Sequence, residues 1–145
     1  MHPSQAPADP FNLKRFVDAQ RGDYATALAE LHAGQKRSHW MWYIFPQLAG
    51  LGFSSTSRFY GITSRDEARA YLAHPLLGPR LAECAEALLA LQGRSARAIF
   101  GAPDDAKLRS SMTLFAEVGA FSSPFERVLE QYFAGQRDPK TLAML

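Results

Sequence analysis

Ser64-Arg65-Asp66-Glu67-Ala68-Arg69-Ala70-Tyr71-Leu72-Ala73-His74-Pro75, with the run from Leu77 to Gly93 behind it, decides the fold class. Ser64 to Glu67 is a capping box: the serine hydroxyl takes one free amide of a helix start and the glutamate carboxylate reaches back to another. Ala68, Tyr71 and Leu72 then fall on one helical face, and the helix stops before Pro75 because the residue preceding a proline avoids helical geometry. The next segment places Leu77, Leu81, Cys84, Leu88 and Leu91 at spacings of four, three, four and three. That is the period of an amphipathic helix, and Gly93 closes it.

The same punctuation continues toward the C-terminus. Ser95 caps a short turn through Ile99 and Phe100 that ends at Gly101. Pro103, Asp104 and Asp105 open a helix, with acids on the positive end of its dipole, and its stripe is Leu108, Met112 and Phe115. Ser123-Pro124 opens another, with Phe125, Val128, Leu129, Tyr132 and Phe133 inward and Gly135 as its stop. Asp138-Pro139 begins a final turn through Leu142 and Leu145.

Toward the N-terminus, Leu13, Phe16 and Val17 signal a first helix with Asn12 as its cap, broken at Arg21-Gly22. Asp23 caps a second one carrying Tyr24, Ala27, Leu28 and Leu31, which ends at Gly34. Ser38 is the expected N-cap of the aromatic run Trp40-Met41-Trp42-Tyr43-Ile44-Phe45, which Pro46 terminates. This run has no polar face and predicts a buried central helix, so its indole and phenol groups need polar partners reaching inward, His39 among them. The stretch from Gly50 to Gly61, rich in glycine and serine, reads as a loop with at most one helical turn. Period-two alternation is nearly absent. The fold class is all-α: one compact multihelical domain over residues 11–145 behind a disordered leader, residues 1–10.

Composition bounds the function. The chain has 145 residues, 47% of them hydrophobic and 21% charged, enough for one self-sufficient core. Sixteen Lys and Arg against 14 Asp and Glu leave +2, too balanced for a dedicated nucleic-acid binder. No apolar run approaches the ~20 residues of a membrane span. The one cysteine, Cys84, excludes a disulfide within the chain, sits on an apolar helix face and fits a reducing compartment, so the expected location is the cytoplasm.

Most catalytic patterns are missing. Gly50-Leu51-Gly52 leads into no phosphate loop, and Gly52-Phe53-Ser54-Ser55 lacks the closing glycine of a nucleophile elbow. The four histidines and single cysteine have no metal-ligand spacing, and nothing calls for a cofactor. One local imbalance stands out. Lys36 and Arg37 lie just before an expected helix start, where cations oppose the dipole. A bound anion would reverse that sign, meeting free amides, the Ser38 hydroxyl, both cations and His39. Arg58 and Tyr60, after the Gly/Ser-rich loop, and Lys107 and Arg109 are further candidates for the same anion. His39 is the one acid/base candidate, because imidazole titrates near neutrality.

Phe11-Asn12-Leu13-Lys14-Arg15-Phe16-Val17, the run Lys36-Arg37-Ser38-His39-Trp40-Met41-Trp42-Tyr43-Ile44-Phe45-Pro46-Gln47 and Lys107-Leu108-Arg109-Ser110-Ser111-Met112-Thr113-Leu114-Phe115 together carry a resemblance. Over Phe11 to Leu145 the chain resembles the bacterial domain-of-unknown-function family numbered eighteen-ten, some members of which bear the automatic label calpastatin. The resemblance implies a compact multihelical fold and no established activity or catalytic residues. The inhibitor label does not suit these residues, since an inhibitor of that type is a long disordered polar chain and this one is aromatic and capped at nearly every helix. Two readings stay open: a small anionic (phosphate or carboxylate) ligand site, catalytic or not, and a noncatalytic interaction module that binds a partner or self-associates.

Overall fold

A computed structural model describes residues 8–145. Positions 1–7 of the expected leader lie outside the described residues. Among the described residues the elements are nine helices: α1 (Lys14–Ala33), α2 (Met41–Ile44), α3 (Ser55–Phe59), α4 (Arg65–Ala73), α5 (Leu77–Ala90), α6 (Ala96–Phe100), α7 (Asp104–Val118), α8 (Pro124–Phe133) and α9 (Pro139–Met144). The fold is all-α; pairing of extended backbone among the described residues is confined to one bridge, Leu48 to Ile62.

Helix α7 is the hub, packing against α4, α6, α8 and α9, while α5 packs against α1, α4 and α8. Every residue from Ser110 to Ala116 is buried, so α7 is enclosed on most of its circumference. Aromatic rings tie the layers together. Tyr71 of α4 meets Phe16 of α1 edge-on at 5.1 Å and Phe115 of α7 at 5.3 Å, and Phe115 reaches Phe125 of α8 at 5.9 Å. Buried Gln20 holds this centre in register, donating to the Tyr43 carbonyl (2.8 Å) and the Tyr71 hydroxyl (3.1 Å). Cys84 is buried in the same core.

Several expectations change. Arg21-Gly22 does not break the first helix; α1 runs unbroken for 20 residues. A mid-helix glycine costs only about 1 kcal/mol, which the inward stripe Phe16, Gln20, Ala27 and Leu31 outweighs. Asp23, inside that helix, accepts a short hydrogen bond from the Tyr43 hydroxyl instead of capping. Asn12 has φ 53° and does not cap α1; the Asp9 carboxylate does, accepting from the Leu13 and Lys14 amides at 2.8 and 3.0 Å. Gly22 is exposed and a Cβ there would meet nothing within 4 Å. Gly22→Ala is therefore expected to stabilise the protein by roughly 0.5–1 kcal/mol in denaturant titration.

The aromatic run forms a single turn, α2. Trp40, Met41, Ile44 and Phe45 are buried, while Trp42 and Tyr43 are half-buried. Beyond it the chain doubles back, with the Ala49 amide bonded to the Ile62 carbonyl (2.7 Å) and the Ile62 amide to the Gln47 carbonyl (2.9 Å). Gly61 permits this crossing, because a Cβ there would lie 2.7 Å from the Ala49 Cβ. The closed loop fixes Gln47, Leu51 and Gly52 beside Trp42.

Candidate functional site

Where the sequence suggests a ligand anion at residues 36–39, the amides of Arg37 and Ser38 and the Ser38 hydroxyl bind a carboxylate of the chain itself. Glu30, in the last turn of α1, accepts the Arg37 amide (2.7 Å), the Ser38 amide (2.9 Å) and the Trp40 indole N–H (3.0 Å) on Oε1, and the Ser38 hydroxyl (2.5 Å) on Oε2. Ser38 therefore does not cap α2, whose preceding residue is Trp40. Glu30 is the inward polar partner that Trp40 requires, and His39 is exposed. Partial burial raises the Glu30 pKa, but the bonds from the Ser38 hydroxyl, the Arg37 amide, the Trp40 indole and the Ser38 amide outweigh it and hold the carboxyl at about 2.

A depressed carboxylate contributes stability above its unfolded pKa and loses it as pH falls through the folded value. The Glu30 contribution is thus complete above about 4.5 and disappears toward about 2. Glu30→Gln is expected to cost roughly 1–2 kcal/mol at pH 7, moderated by solvent screening of the half-buried group. Between pH 4.5 and 2 the gap between variant and wild type should narrow in thermal melts. A gap independent of pH would contradict the assignment.

Lys36 is also spent internally. Its ammonium sits 2.9 Å from Asp104 Oδ2, with the side chain 8% exposed, and lies 5.1 Å from the Trp40 ring centroid. Arg37 is exposed and donates to Gln35 at 3.3 Å. Arg58 is exposed in an open groove beside Phe11 and Phe59, and Tyr60 lines a small pocket behind Trp42. The eight candidates do not converge on one cleft.

Two of them, Lys107 and Arg109, do share one. A cleft of about 470 Å³ lies between the 42–52 segment, α7 and the start of α9. Trp42, Gln47, Leu51 and Gly52 form one wall; Pro103, Lys107 and Ser110 form the second; Asp138, Pro139 and Lys140 close the end. The walls are mostly apolar, and the volume is that of a small-ligand site. The Lys107 ammonium lies 4.0 Å from the Trp42 ring centroid and 3.3 Å from Asp104 Oδ1, so Asp104 is shared by Lys36 and Lys107. Arg109 is mostly engaged: its guanidinium donates to the carbonyls of Gln136 (2.9 Å) and Arg137 (2.8 Å) and anchors the turn before α9. Asp138 caps α9, accepting from the Thr141 amide and hydroxyl and from the Ser110 hydroxyl.

The hydrogen-bonding capacity left over in the cleft is donor-rich. Among the described residues, Lys140 has no ion-pair partner, the Trp42 indole N–H no acceptor and the Gln47 side-chain amide no partner. The ionised lining residues Lys107, Arg109 and Lys140 against Asp138 carry +2, as much as the whole chain. Trp42, Gln47 and Lys140 are not among the residues that sequence reasoning nominates. Trp42 reads as core inside an all-apolar run, and no local pattern brings Lys140 to Lys107.

Among the described residues, no group of three or more His, Cys, Asp or Glu could hold a metal, and no helix is long and apolar enough to cross a membrane. Cys84 is buried, and burial pushes its thiol up to about 12, away from the thiolate form.

No functionally curated protein matches the sequence. The chain is similar to the conserved hypothetical protein Rv1873 from Mycobacterium tuberculosis, whose crystal structure superposes with a TM-score of 0.93 at 54% sequence identity, covering 94% of this chain and 98% of that one. Neither that name nor the family's carries an activity. The model of the family described as "Protein of unknown function (DUF1810)" matches residues 10–145, nearly the whole chain. The chain belongs to the DUF1810 family.

Proposed function

We propose that this protein binds a small anionic ligand, a phosphate or carboxylate, in the cleft between α7 and α9. The observation that carries the reading is the pairing of Lys107, held over Trp42 at 4.0 Å, with unpartnered Lys140 in a cleft of about 470 Å³. An anion there gains two ammonium groups and the Trp42 N–H at a mostly apolar site, where charge-assisted hydrogen bonds are strong. Arg109 shapes the cleft through its carbonyl bonds. Binding is the primary role, since the one acid/base candidate, His39, does not line the cleft. A buried free thiol suits a reducing compartment, and we place the protein in the cytoplasm.

The test is a thermal-shift and calorimetric screen with inorganic phosphate, sugar phosphates and small carboxylates at low salt. A ligand at 100 times its Kd adds about 2.7 kcal/mol of stability. Lys107→Met/Lys140→Met is expected to weaken binding at least tenfold, while Arg37→Ala leaves it unchanged. No shift with any anion, or a shift indifferent to both lysines, would sink the reading.

The second reading, an interaction module, is favoured by Phe53 and Phe59, which are 86% and 54% exposed on the 50–61 loop. Self-association through this loop would raise the mass measured by light scattering, and Phe53→Ser/Phe59→Ser would restore the monomer.

A further inference from the structure

Resting on the reading that the cleft holds an anion, we infer that its ligand is a planar aromatic anion, with its ring against Trp42 and its charged group on Lys107 and Lys140. The two tryptophans separate core from site. Trp40 is 1% exposed and its indole N–H is bonded to Glu30. Trp42, two residues on, points to the other side of a one-turn helix, is half-buried and keeps its N–H unpaired. It is the largest apolar side chain among those lining the cleft. The remaining apolar side chains of the lining are Leu51, Pro103, Ala106 and Pro139, which offer no charge to an inserted ring. A slot with an indole on one side selects flat rings over branched aliphatic groups, because offset stacking adds to burial.

The cation is placed to complete that recognition. Lys107 occupies the indole face 4.0 Å from its centroid, and its nearest carboxylate, Asp104, is already shared with Lys36. A ligand that draws the ammonium onto its own anion frees that face for its ring. The exchange replaces one cation–π contact by an ion pair and a stacking contact. An aliphatic anion gains the ion pair and leaves the indole face without a partner. Gln47, whose unpaired side-chain amide lines the same wall, supplies one donor and one acceptor for the edge of such a ring.

Titration calorimetry with matched probes tests this: AMP against ribose 5-phosphate, and 2-naphthoate against cyclohexanecarboxylate. The aromatic member of at least one pair is expected to bind tenfold or more tightly than its partner. Preference within the first pair alone assigns an aromatic phosphate, and within the second alone an aromatic carboxylate. Trp42→Leu, which also removes the indole N–H, should weaken both members of a pair and abolish the preference between them, and Trp42→Phe, which keeps a ring, should retain most of that preference. Equal affinities within both pairs, still dependent on Lys107 and Lys140, would overturn the aromatic inference and leave the anion reading standing. Binding by none of the four probes would overturn the aromatic inference, and silence across the wider phosphate and carboxylate screen as well would remove the anion reading.

Discussion

Glu67→Ala is expected to be among the most destabilising single substitutions in this protein, costing about 3–5 kcal/mol, because it strands a buried guanidinium. The side chains of Arg15 and Glu67 are 7% and 2% exposed and meet at 2.7 Å. Every N–H of Arg15 is engaged: Nε with the Phe59 carbonyl, Nη1 with those of Phe11 and Asn12, and Nη2 with the Gly61 carbonyl and Glu67 Oε2. Four of these five acceptors are neutral carbonyls; Glu67 alone balances the charge. Its other oxygen accepts the Thr63 amide (2.9 Å) and hydroxyl (2.7 Å), so the substitution also frees two donors at the start of α4. At about 3 °C per kcal/mol for a domain of this size, the melting temperature should fall by roughly 10–15 °C. Arg15→Met/Glu67→Leu is expected to cost clearly less than the two single truncations added together, since no charge is left behind. A loss below about 1 kcal/mol for Glu67→Ala would show that water reaches Arg15 in its place.

The helix-capping residues explain which parts of the architecture could be read in advance. Ser64, Ser95, Ser123 and Asp138 each accept an amide three residues on, at 3.1, 3.0, 3.3 and 3.2 Å. Donor and acceptor sit within one turn, so the sequence alone pairs them. Even here the environment intervenes: the Glu67 carboxylate reaches to Thr63, one residue beyond the expected box, and to Arg15. Helix termination at Gly22 failed as a signal because the continuing apolar stripe of α1 is worth more than one glycine costs. Ser38 failed for a different reason. Its hydroxyl had a stronger acceptor in Glu30, which comes close only once α1 is helical and the chain turns back. The imbalance of cations at residues 36 and 37 did point to an anion, but an internal carboxylate answers the amides and Asp104 answers Lys36. What no local pattern contains is the cleft. Lys107 and Lys140 lie on different helices, and the packing of α7 on α9, with Arg109 pinned to the intervening turn, sets their relation.

Gly78→Ala should lower stability by about 3 kcal/mol, near the upper end for overpacking, although alanine is the better helix former. Gly78 is buried near the start of α5, and an ideal Cβ there would lie 2.1 Å from the Leu72 carbonyl oxygen and 2.9 Å from its carbon. These are backbone atoms of α4, so no rotamer change can relieve the contact. The corner between the helices is also locked. The His74 carbonyl accepts the Gly78 amide at 3.1 Å, and His74 Nδ1 accepts the amides of Leu76 and Leu77 at 3.0 and 3.2 Å. Separating α4 from α5 enough for a methyl group must break part of this set. It also displaces Tyr71, whose ring bridges Phe16 and Phe115, and Glu67, one turn further back. Gly22→Ala, where a Cβ meets only solvent, is the internal control. The same chemical change should raise the urea midpoint at position 22 and lower it at position 78. Equal effects at the two positions would mean that α4 and α5 can slide apart freely, and the corner would then be no constraint on the fold.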